Sequence, residues 1–202
     1  MSSLDEILGD LSRGVGGLSA RAASTLFASS ASALMPAFRE WAAIGVEARE
    51  HNARVPIVER AIEIGFELAT TGTTQADLPA LLQRLEWITP RRQDASPGAT
   101  TAQDCLVCAD VAIRVHVDPS FSCGPVVEYL LEPVLTSAMH HVAPASADDP
   151  DRQRAADAIL QDQGVMGAVG FLWFAIMSLH SRPNPDRPVI DAIKSRAAVL
   201  LP

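Results

Sequence analysis

The side chains best able to do chemistry gather in one segment. Residues 102–117, AQDCLVCADVAIRVHV, set Asp104, Cys105, Cys108, Asp110, Arg114 and His116 among apolar neighbours. Cys105 and Cys108 have the two-residue gap that metal sites and redox pairs use, and Cys123 and the adjacent His140 and His141 follow downstream. Tetrahedral zinc takes four thiolate or imidazole ligands at recurring spacings, and the downstream gaps match none of them. A redox pair needs its first thiol exposed at a helix start, whereas Cys105 sits inside an apolar run. Cysteine is also a small hydrophobe that is often fully buried. The thiols therefore read as core residues, and neither a metal nor a cofactor is expected. Asp104, Asp110, Arg114 and His116 form the polar cluster to follow, because ionisable groups beside an apolar helix need partners. A pocket lining and a plain polar edge both fit them.

Other constellations are weaker. There is no G-x-S-x-G elbow of the kind that presents a nucleophilic serine. Glu63/Glu67 and Glu128/Glu132 are spaced i, i+4, but di-iron bundles also require Glu-x-x-His motifs, and the chain has none. These acids read as solvated helix faces. Gly14, Gly16 and Gly17 follow no strand, as a phosphate-cradling loop would, and read as a turn. His51 reads as a residue of a helix's last turn, where a cation favours the dipole. Trp41, Trp87 and Trp173 read as core or groove aromatics.

The elements that must position these residues are helical. Residues 3–13 carry Leu4, Ile7, Leu8 and Leu11 on one face, with Ser3 and Glu6 spaced as a capping box. Residues 19–50 continue the pattern, and Pro36 predicts a break or kink. Val58, Ala61, Ile62, Gly65 and Ala69 mark the next helix over 55–70, and Leu78, Leu81, Leu82, Leu85 and Ile88 another over 77–88. Residues 91–101 are turn-rich and read as a loop. A helix is expected over 102–117, then one from Pro125 to Val142 with a kink at Pro133. After a loop at 145–151, a helix bearing Ala155, Ala156, Ile159 and Leu160 is expected to run on to Ser181. SRPNPDRP (181–188) interrupts, and Ile190, Ile193, Ala197 and Leu200 face inward in a final helix.

Within that arrangement the stretch QGVMGAVGFLWFAIMSLHS, residues 163–181, has no formal charge. Spanning a bilayer takes about 20 apolar residues, and the polar ends leave this segment marginal. Its glycines at 164, 167 and 170 suit close helix packing. The expectation is a buried helix over about 152–181 that organises a soluble bundle rather than crossing a membrane.

Composition narrows the class. With 202 residues, 48% hydrophobic and 20% charged, one α-helical domain over 1–202 is expected, with 1–17 as a flexible or docking N-terminal helix. Abundant alanine and few aromatics favour helices over strands. The net charge of −8 and the lack of a Lys/Arg cluster disfavour nucleic acid and suit a basic protein partner. The start, MSSLDEILGDL, lacks the basic and apolar regions of a signal peptide, so cytoplasmic localisation is expected.

Several segments together resemble the bacterial YjaG family of mostly helical proteins. They are LFASSASALMPAFREW (26–41), VERAIEIGFELA (58–69), LLQRLEWITPRRQD (81–94), AQDCLVCADVAI (102–113) and VVEYLLEP (126–133), with a looser echo in DAILQDQ (157–163). The resemblance spans about residues 19–133 and implies an all-α fold without an established activity. Cys105 directly follows Asp104, departing from the family's acid-Ala-Cys order, so neither residue acquires a role from it. The expected fold is therefore an all-α, single-domain multi-helix bundle. The expected function is a non-enzymatic protein-binding domain, with an immunity-type or toxin-neutralising role as its specific form. The alternative is an enzyme with a pocket between helices.

Overall fold

The protein is described here by a computed structural model covering residues 3–43, 48–88, 98–141 and 158–200. It is an all-α multi-helix bundle, with no strand among the described residues. In chain order the helices are α1 (Leu4–Gly16), α2 (Ala20–Ala43), α3 (Ala48–Thr71), α4 (Leu78–Ile88) and α5 (Ala99–Val117). A 3-10 turn (Gly124–Val127) leads into α6 (Glu128–His141), followed by α7 (Gln163–His180) and α8 (Arg187–Leu200).

Helix α2 occupies the centre, against α3 and α5 along its length and α8 on another side. Every residue from Ala22 to Ala31 is buried. Alanine and serine make this possible, since short side chains let neighbours approach from all sides. Three of the four hydroxyls within this run bond to nearby carbonyls: Thr25 donates to Arg21 O at 2.9 Å, Ser30 to Leu26 O at 3.0 Å and Ser24 to Ala112 O at 2.6 Å, while the buried Ser29 hydroxyl has no partner among the described residues. A buried hydroxyl left without a partner costs about 1–3 kcal/mol, so these bonds let polar residues serve as core. Gly65 of α3 completes the arrangement. A Cβ there would stand 3.0 Å from the Cβ of Ala28 and 3.1 Å from that of Ala112, where α2, α3 and α5 meet.

The ends of the helices follow local chemistry. Ser3 and Glu6 form the expected capping box, with bonds of 2.9 and 3.2 Å. Ser19 accepts from the Ala22 amide and donates to Pro183 O, fastening the start of α2 to the 181–186 segment. Arg21 closes the end of α3 by donating to the carbonyls of Ala69 and Thr70. Gly72 follows at φ +77°, a left-handed conformation that suits glycine.

Several boundaries depart from the sequence expectations. Of the break or kink expected at Pro36, the break does not occur: α2 runs through Pro36, as α3 does through Pro56. Both prolines are exposed, so the helix bond each removes lies on a face open to solvent. Helix α3 begins at Ala48, which puts His51 near a helix start rather than in a last turn. Helix α1 continues through Gly14 to Gly16 because these glycines serve packing: a Cβ on Gly14 would meet Ile176 at 3.0 Å, and one on Gly124 would lie 2.7 Å from Ser12 O. The region expected as a loop at 91–101 is helical from Ala99; residues 89–97 lie outside the described residues, as do the loop at 145–151 and Ala155 and Ala156.

The largest correction concerns residues 152–181. Asp162 is extended, at φ −61° and ψ 132°, and its carboxylate accepts from the amides of Gly164 and Val165. It therefore starts a separate helix at Gln163 instead of continuing one from upstream. Helix α7 buries Val165, Ala168, Phe171, Leu172, Ala175, Ile176 and Leu179 on one side and leaves Met166, Trp173 and Met177 exposed on the other. The stretch that is covered all round, and around which the other helices pack, is residues 22–31 of α2.

Two glycines give opposite expectations. Gly65→Leu overfills the α2–α3–α5 contact and lowers stability by about 1–3 kcal/mol or more. Gly170→Ala, with nothing within 4 Å of the added carbon, raises stability by up to about 1 kcal/mol through helix propensity. Urea denaturation measures both.

Candidate functional site

The polar residues of α5 do not converge. At 3.6 residues per turn, Asp104, Asp110 and His116, each six apart, point roughly 120° from one another. Arg114 stands one turn beyond Asp110 and shares its side of the helix. The cluster expected from the sequence is therefore three separate environments on three faces.

Asp110 and Arg114 form a two-point ion pair, with Nε–Oδ2 and Nη2–Oδ1 both at 2.7 Å. Arg114 also reaches Glu86 on α4 at 3.3 Å. The Asp110 bond holds the guanidinium further above its ordinary range. This group fastens α4 to α5. The depression beside it, ≈ 190 Å³ and lined by Leu85, Leu106 and Val107 among others, is smaller than ordinary ligand pockets of about 300–1,000 Å³.

His116 lies at an open depression of ≈ 370 Å³ whose lining includes Leu18, Ala23, Asp118 and Phe121. Its Nε2 is 2.9 Å from Ser24 Oγ. Ser24 has one proton and gives it to Ala112 O, so the imidazole must donate to the serine. That direction is opposite to the one a serine nucleophile needs, and Ser24 is wholly buried. Burial, and then the nearby charge of Arg21, lower the His116 pKa. Folding therefore favours the neutral ring, and this contribution to stability is lost as pH falls below the ordinary imidazole range.

Asp104 is the most unusual group. It is 1% exposed, and neither carboxylate oxygen has a hydrogen-bond partner among the described residues. Burial first, and then the negative charge of Glu132, push its pKa up to about 8. Glu132 is half-buried, unlike the exposed Glu63, Glu67 and Glu128, so the expectation of solvated acids fails at this one position. Asp104 is accordingly a neutral acid over most of the physiological range, with no compensating cation against it among the described residues.

The thiols are core residues. Cys105 donates to Ala31 O at 3.4 Å and Cys123 to Val15 O at 3.3 Å. Cys105, Cys108 and Cys123 are buried and unbridged, and burial raises the pKa of each. No group of three or more His, Cys, Asp or Glu suited to a metal occurs among the described residues.

Sequence reasoning missed the most exposed apolar feature. Met166, Gly170, Trp173 and Met177 follow i, i+4, i+7, i+11 and share one outward face of α7. Met166 is 61%, Trp173 37% and Met177 67% exposed, and the space above Gly170 is open. Trp87 on α4 is also exposed, at 78%, leaving only Trp41 of the three tryptophans in the core. The heptad spacing on α7 was the available signal, hidden by apolar residues on the other faces. Of the spaced glycines there, Gly164 does serve close packing, since its Cβ would stand 3.2 Å from Val134 on α6.

Comparison with known proteins gives a likeness of fold. No family model matches the chain, and no curated protein matches it. Among solved structures, it is similar to a DUF416 family protein from Shewanella baltica OS155, with a TM-score of 0.65 and 14% identity over 92% of each chain. At that identity the architecture is what the two share.

Two solution tests follow. Because the folded pKa of Asp104 lies above its unfolded value, its contribution to stability is fully present at acid pH and lost as pH rises toward about 8, at up to about 1.4 kcal/mol per pH unit. Asp104→Asn should flatten that decline between pH 5 and 8 in urea titrations; an unchanged slope contradicts the assignment. A thiol reagent such as DTNB should find all three cysteines only after denaturation, and rapid native labelling would contradict their burial.

Proposed function

We propose that this chain is a non-enzymatic, cytoplasmic protein-binding domain of the YjaG-like kind, and that the outward face of α7 is its binding surface. The observation that carries the reading is the stripe of Met166, Gly170, Trp173 and Met177. Tryptophan and methionine are enriched in protein interfaces, and methionine adapts to an irregular partner. A helix face without charge loses little on desolvation. Away from the stripe, the chain's net charge of −8 favours encounter with a basic partner, and an immunity-type or toxin-neutralising role is the specific form that this suggests.

The enzyme reading has less support. Asp110 and Arg114 are committed to each other and to Glu86, Ser24 gives its proton to a backbone carbonyl, and Asp104 lies in the core. The depression beside His116 brings no second ionisable group into contact with the imidazole among the described hydrogen bonds.

A photo-crosslinking residue in place of Met177, 67% exposed on the stripe, tests the surface directly in the native host. The expected result is a discrete protein adduct from position 177 and none from the exposed position 67 on α3. Equal labelling from both positions, or none from position 177, contradicts the reading.

A further inference from the structure

Among the outward-facing positions of α7, the sizes of the side chains are arranged symmetrically. Met166 and Met177 stand at the ends, and Gly170 and Trp173 stand between them. If a second α7 is laid antiparallel about a two-fold axis at the midpoint of Gly170 and Trp173, Met166 faces Met177 of the other copy. The same operation places Trp173 over the opposing Gly170. The largest side chain of the stripe thus meets the position where nothing lies within 4 Å of an added carbon. Coincidence of large with small, twice over, is what an isologous contact requires.

The charges agree with this register. The face is uncharged, so two copies of an acidic chain meet without opposing carboxylates in the contact. Asp162 stands at the start of the helix and Arg182 just beyond its end. Antiparallel pairing brings the acid of each copy toward the base of the other at both ends. The helix dipoles also oppose, which is favourable for antiparallel neighbours. A bilayer fits less well as the occupant: the opposite side of α7, including Phe171, Leu172 and Ile176, is packed in the core, so lipid could reach only one face.

We infer that the occupant of the α7 stripe is a second copy of this chain, joined through antiparallel α7 helices with Trp173 of each seated over Gly170 of the other. This rests on the reading of the stripe as a protein-binding surface and names what binds there. Gly170→Leu is the informative variant. The added side chain has open space in the single chain, so the fold is kept, while the seat of the opposing tryptophan is filled.

Sedimentation of the full chain, with thermal denaturation as a control on folding, gives the first readout. The wild type is expected to sediment as a dimer, and Gly170→Leu should weaken dimerisation at least tenfold, while its midpoint of unfolding, compared at dilutions where both chains are monomeric, is not lowered. The second readout is disulfide formation, which is clean because the native thiols are buried. An equimolar mixture of Met166→Cys and Met177→Cys chains should cross-link, and each alone should not. A monomeric wild type overturns the inference, as does cross-linking of each variant with itself, which indicates a parallel pair. A monomer that binds phosphatidylcholine vesicles, with binding lost in Met177→Glu, overturns it in favour of a membrane. A monomeric wild type that still gives a protein adduct from position 177 overturns self-pairing alone and leaves the protein-binding surface standing.

Discussion

The fold depends on how closely α3 and α5 can approach α2. Where the three meet, Gly65 faces Ala28 and Ala112, and any larger side chain would force the helices apart. That proximity buries Ala22–Ala31 on every side of α2 and brings Ser24 within reach of the Ala112 carbonyl. It also brings Cys105 within reach of the Ala31 carbonyl. The larger apolar groups, Phe27, Leu34, Phe38 and Trp41, then fill the space where the helices diverge, with Phe38 and Trp41 in tilted contact at 5.6 Å. Short side chains set the spacing, and long ones occupy what the spacing leaves.

Against that close-packed centre, the ionisable groups of α5 meet different fates because a helix sends them in different directions. Asp110 and Arg114 reach the edge and bond across to α4. His116 reaches the opening near the end of α5 and bonds to α2. Asp104 reaches the interior and finds no cation there among the described residues. An ionised carboxylate in such a place costs far more than a protonated one, and its raised pKa expresses that cost. A segment dense in chemical groups need not hold a reaction centre.

The helical periods, the capping box and most inward faces were legible in the sequence. So was the placement of Cys105 and Cys108 as core residues. The order of burial was not, for a physical reason. Helix α7 is more hydrophobic than α2 as a whole, yet α7 is covered on one side and residues 22–31 of α2 on all sides. Hydropathy measures the gain on leaving water, whereas position in a bundle also depends on how near the backbones can come. Serine and threonine look polar in a sequence until their hydroxyls return to helix carbonyls, as Thr25 and Ser30 do. The dispersal of Asp104, Asp110 and His116 could have been read from their six-residue spacing. What they meet on other helices could not: the repelling charge of Glu132 for Asp104, Glu86 through Arg114 beside Asp110, and Ser24 for His116.

Amide hydrogen exchange read by residue tests the central position of α2 most directly. The account predicts that amides of residues 22–31, with those of α5 facing them, exchange in the slowest class and only through global unfolding. Exchange of residues 22–31 ahead of the amides of α7 would contradict it, and would return α7 to the centre of the fold.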